Sequence, residues 1–94
     1  MANSSRDVSE AMGALHEELE IHKIDLQCIL EESRVLVQQI RFERIYTYDR
    51  IALISLMEAR CVQLDAVLEH LHFKRLKVIE IAAKMEELNR IANQ

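Results

Sequence analysis

The chain has 94 residues with a formal net charge of −4, half of them apolar, no proline and a single glycine. That length makes one domain at most, spanning 1–94, and buries only a modest core unless the chain associates. The acidic balance argues against a general nucleic-acid binder, whose surface must neutralise phosphates, and a composition rich in Leu, Ile, Glu, Arg and Ala excludes sheet and predicts an all-α protein.

Met1 to Ser4 are polar and aperiodic, so a frayed terminus is expected there. Ser5 or Asp7 then caps a first helix running over about 5–45, with Asp7 and Glu10 complementing the helix dipole. Gly13 costs roughly 1 kcal/mol against alanine inside a helix, which points either to fraying up to that residue or to a close backbone approach. A heptad with Met12, Leu19 and Leu26 at a, and Val8, Leu15 and Ile29 at d, predicts a coiled-coil-like seam in one unbroken register from Ser5 to Ala92.

The pattern lapses only in the middle, where the seam positions Glu43, Thr47 and Arg50 are polar and Ile45, Tyr46, Thr47 and Tyr48 are weak helix formers. This predicts a turn over about 45–49 and a second helix over about 49–92, capped by Thr47 or Asp49. Folding there stacks Val8 on Met85, Met12 on Ala82, Leu15 on Val78, Leu26 on Leu68, Ile29 on Leu64, Leu36 on Met57 and Ile40 on Ile54. The polar exceptions are Leu19 facing Arg75, His22 facing Leu71 and Ser33 facing Cys61. The expected fold is therefore a long antiparallel helical hairpin assembling into a four-helix bundle or a larger helical complex. A continuous rod is the alternative, since no glycine or proline marks the turn, and a third arrangement breaks the chain near Ser33.

A second apolar stripe runs along the back of each helix. Ile21, Ile24, Cys28, Val35, Phe42 and Ile45 recur by three, four and seven on helix one, and Tyr48, Val62, Phe73 and Leu76 lie on the back of helix two with Ala52, Ala59, Ala66 and Ala83. A helix apolar on two sides is buried on two sides. These ten larger residues are the candidate partner-binding positions, and a lone hairpin has nothing to cover them.

Other constellations carry less chemistry. His16, His22, His70 and His72, with Glu69 three residues before His72, have the residue types of a bundle metal site, but Glu69 and His72 fall outside the seam. Nucleophilic catalysis needs a base held against a Cys or Ser and a concave site, and Cys61 near Ser33 has no such base, so no catalytic residue, no metal and no cofactor are expected, while Cys28 and Cys61, both on apolar faces, read as buried free thiols. Lys74, Arg75 and Lys77 read as a solvated edge rather than a phosphate site. No apolar run reaches membrane-spanning length and no secretory signal is evident, so a cytoplasmic protein without membrane insertion is expected. The functional expectation is a non-enzymatic interaction module that pairs with itself or with another helical protein as a subunit of a coiled-coil assembly. The alternative is an acidic stoichiometric inhibitor or chaperone that binds a single target through its apolar faces, while the acid-rich stretch of Glu17, Glu18, Glu20, Asp25, Glu31 and Glu32 reads as a soluble outer face rather than a polyanion mimic.

Overall fold

The computed structural model describes residues 2–94, with side chains for 6–94. Two α-helices account for nearly all of them: α1 over Ala2–Tyr46 and α2 over Arg50–Ala92, joined by the three residues 47–49 into a helical hairpin. None of the described residues forms a strand. No helix among them is long and apolar enough to cross a membrane.

The chain turns where the polar seam positions and the weak helix formers coincide. The Thr47 amide still donates to the Glu43 carbonyl at 3.0 Å, giving α1 its last bond. Asp49 then caps α2: its Oδ1 accepts from the Ile51 amide at 3.0 Å, and its carbonyl accepts from Leu53 at 2.9 Å. No residue of the turn has positive φ, so the connection needs no glycine.

The start of α1 departs from expectation. The helix begins at Ala2, so Asp7 lies in its interior rather than at its cap. The expected fraying is overturned for Ala2 to Ser4, which are helical, and Ser5 likewise lies inside the helix rather than before it; Met1 lies outside the described residues. Gly13 neither ends a frayed stretch nor admits a close neighbour: the helix passes through it, and a Cβ built there meets nothing within 4 Å.

Packing gathers the chain into two compact units, one of residues 1–25 and 73–94 and the other of 26–72. In the second, Ile29, Leu36 and Val67 form a buried cluster against which Ile40, Leu64 and Leu71 pack. In the first, Ile81 is the most deeply buried side chain, 2% exposed, while Leu15, Leu19, Val78, Met85 and Leu88 are half-buried.

The register of α1 follows the expected heptad, since Leu15, Leu19, Leu26, Ile29, Ser33, Leu36 and Ile40 all turn inward. The register of α2 does not. Met57, Leu64, Leu71, Val78 and Met85 face inward as expected, but the alternate row is Leu53, Arg60, Val67, Lys74, Ile81 and Leu88 rather than Ile54, Cys61, Leu68, Arg75, Ala82 and Asn89. The expected stacking of Met12 on Ala82, Leu26 on Leu68, Ile40 on Ile54, Leu19 on Arg75 and Ser33 on Cys61 is therefore overturned. Ile54 and Leu68 remain more than half exposed.

The cause is a comparison of two adjacent rows. The observed row supplies Leu53, Val67, Ile81 and Leu88, four large aliphatic groups, and its two cations each meet an acid on α1. The expected row would have placed Arg75, Ala82 and Asn89 inside, burying less apolar area and stranding a charge.

Candidate interaction surface

In each unit a cation of α2 reaches across the seam to α1, Arg60 in one and Lys74 in the other. Arg60 Nε donates to both carboxylate oxygens of Glu43 at 3.1 Å, and Nη2 donates to Oε1 as well. Both side chains are largely covered, at 16% and 13% exposure. The hydrogen bond from Arg60 holds the Glu43 carboxyl below its ordinary range, with further help from the Arg60 charge and from Gln39, against a smaller opposing effect of burial. Arg60 is in turn pushed up by Glu43. In the other unit, Lys74 Nζ donates to Asp25 Oδ2 at 2.6 Å and lies 3.4 Å from His22 Nδ1. The Ser33 hydroxyl in the seam is satisfied locally, donating to the Leu30 carbonyl at 2.7 Å. Among the described residues, no buried side-chain nitrogen or oxygen lacks a hydrogen-bond partner.

The histidines do not converge. His22 sits in the seam beside Lys74, whereas His16, His70 and His72 are exposed. Among the described residues, no group of three or more His, Cys, Asp or Glu comes together in a metal-binding arrangement. Cys28 and Cys61 are free and exposed rather than buried as expected, because both fall outside the observed seam.

All ten candidate partner-binding residues are exposed. In the unit of 26–72, Cys28, Val35, Phe42, Ile45, Tyr48 and Val62 stand clear of the core, with Tyr48 at the turn 93% exposed. In the other unit, Ile21, Ile24, Phe73 and Leu76 do the same. Helical spacing alone puts Cys28, Val35 and Phe42 one heptad apart on a single face. Phe42 stacks on Tyr46 with ring centroids 4.5 Å apart. Lys77 lies 5.6 Å from the centre of the Phe73 ring, partly shielding it.

Two shallow grooves show how the helix flanks meet. In the unit of 26–72, Val35 and Gln39 of α1 stand across from Gln63, Ala66 and His70 of α2, with Leu36 and Val67 beneath. In the other unit, Ala11, Ala14, Leu15 and Leu88 line an apolar trough edged by Glu18, Lys84 and Glu87. Both are open to solvent, and each can take a helix side chain.

Sequence reasoning missed a further set. Leu30 and Val37 on α1, with Ile54, Cys61 and Leu68 on α2, are exposed on the flank of the seam opposite the Val35–Ala66 groove. The last three had been assigned to the seam itself. The signal was present as apolar pairs of neighbours along α2, Leu53 with Ile54 and Val67 with Leu68, of which a two-stranded seam can bury only one. No protein-family model, curated protein or solved structure matches this chain.

Proposed function

We propose that this protein is a non-enzymatic interaction module, a helical hairpin whose exposed apolar faces pack against further helices, supplied by a second copy or by a helical partner in a coiled-coil assembly. The observation that carries the reading is the exposure of large apolar side chains on the outer faces of both helices, with Ile21, Ile24, Val35, Phe42, Ile45 and Val62 all more than half accessible. Single exposed apolar residues need no explanation, but heptad-spaced rows on a small hairpin form the kind of contiguous patch that marks an interface. Covering such a side chain contributes about 1.5–3 kcal/mol, so six or more on one face offset the entropic cost of association.

Mass measurement by light scattering on the pure protein, repeated with Ile24→Glu and Val35→Glu, tests the reading. A charge placed on the outer stripes is expected to abolish whichever association those stripes carry, with a second copy or with a helical partner, while helix content survives. Unchanged mass and binding in both variants would remove the outer stripes from the function.

A further inference from the structure

We infer that residues 26–72 pair with a second copy of themselves through the face carrying Leu30, Val37, Ile54, Cys61 and Leu68, about a two-fold axis parallel to the helices. This rests on the interaction-module reading and goes beyond it by assigning the face, the occupant and the symmetry. The Val35–Ala66 groove fixes one face of this unit, because residues of both helices line it above Leu36 and Val67. The residues on the other flank of the same seam, Leu30 and Val37 of α1 and Ile54, Cys61 and Leu68 of α2, therefore share the opposite face, and all five are exposed.

Charge selects the occupant. Arg34 and Arg41 stand one heptad apart on the α1 edge of this face, and Arg44 continues the row of Leu30 and Val37. Glu58 and Asp65 stand one heptad apart on the α2 edge. The face is thus an apolar strip with a basic edge and an acidic edge, which is self-complementary under one operation only. A two-fold axis parallel to the helices lays α1 of one copy on α2 of the other and joins unlike edges. An in-plane axis perpendicular to the helices lays α1 on α1 and joins arginine to arginine.

The axial levels agree. Glu43 is level with Arg60 within the chain, and rotation about a parallel axis preserves levels. Glu58 of one copy then comes level with Arg44 of the other, about a turn from Arg41, and Asp65 falls between Arg34 and Arg41. Among the described residues, Arg41, Arg44, Glu58 and Asp65 make no ion pair within the chain, and Arg34 makes only an exposed one with Glu31 at 3.5 Å. The groove face lacks this property. It is flanked by Glu31 and Glu32 on α1 and by Glu69 on α2, so self-pairing there about an axis parallel to the helices brings acid onto acid. Self-pairing through the opposite face leaves the groove, Phe42 and Val62 open to a different helix.

Sedimentation equilibrium on the full chain and three variants tests the pairing, with circular dichroism confirming that each variant keeps its helices. Arg34→Glu/Arg41→Glu/Arg44→Glu makes both edges acidic, and Glu58→Lys/Asp65→Lys makes both basic. Each alone is expected to weaken self-association by about tenfold or more, and an equimolar mixture is expected to restore it as a heterodimer. The chain carrying all five changes has its edges exchanged and is expected to regain a homodimer, whereas the arrangement of α1 on α1 keeps like charges facing in every variant and gives neither the loss nor the recovery. Undiminished dimerisation of either single-edge variant, or a monomeric five-fold variant, would overturn the inference. If the single-edge variants stay dimeric while Val35→Glu dissociates, self-pairing belongs to the groove face and the module reading survives. A wild-type chain that remains monomeric at every concentration also overturns the pairing, leaving the module reading to a heterotypic helical partner.

Discussion

Arg60 closes on Glu43 across the seam with Nε 3.1 Å from each carboxylate oxygen, at a position where a lone helix pair would ordinarily carry leucine. The carboxyl is held below its ordinary range, so the folded chain binds its proton less readily than the unfolded chain. The corresponding stability is fully present above the ordinary carboxylate value of 4.5 and is lost as pH falls through the lower folded value. Thermal melts of wild type and Glu43→Gln across acidic pH are expected to converge as pH falls, with the wild type more stable near neutrality. Parallel curves at all pH values would show that the ion pair contributes nothing.

The one-residue phase of α2 gives a sharp contrast between neighbours. Val67 is buried against Leu36, whereas Leu68 is half exposed. Val67→Asp places an unpaired charge in the core and is expected to unfold the hairpin, while Leu68→Asp should retain helix content at the same dilute concentration. Leu36→Ala, which removes part of the same cluster, should cost about 2–5 kcal/mol by chemical denaturation. Equal damage from Val67→Asp and Leu68→Asp would return the seam to the row containing Leu68.

Gly13 lies within α1 with open space where a Cβ would stand. Gly13→Ala is expected to stabilise the chain by about 0.5–1 kcal/mol, through helix propensity and a less flexible unfolded chain. A loss of stability in urea titration would reveal a contact on that side of the helix.

Asp49 supplies the only side-chain bond to the first amides of α2 among the described residues. Asp49→Ala should cost about 1 kcal/mol, and Asp49→Asn or Asp49→Ser should restore most of it. Equal stability of all four chains in denaturant titrations would remove the cap from the account.

Much of this fold was legible because its signals are local. The 3.5-residue repeat of α1, the polar lapse at Glu43 and Thr47, and the capping role of Asp49 each depend on a few adjacent residues. The phase of α2 was not legible, because the helix offers two usable rows one residue apart and periodicity ranks them almost equally. What separates them is a pair of long-range contacts, Glu43 with Arg60 and Asp25 with Lys74, which no spacing rule within one helix contains. Glu43 therefore looked like a gap in the seam when it is one half of a crossing contact. The exposed residues from Ile21 to Leu76 were found because they stand on the far side of either choice of row. Leu30 and Val37 were passed over because they border the seam and suggested nothing until its edge was known.

The connection between the helices is finished from both sides, by the Glu43 carbonyl before it and the Asp49 carboxylate after it, while Tyr48 between them is almost wholly in solvent. Such a joint makes few demands on what it carries. Loop-closure entropy grows only slowly with length, so a flexible graft after Tyr48, whether an affinity handle, a fluorophore-bearing segment or an entire second domain, can be accommodated while both helices keep their own ends. The turn is therefore a natural port for engineering and for evolutionary insertion, where cargo can be added without rewriting the packing beneath it.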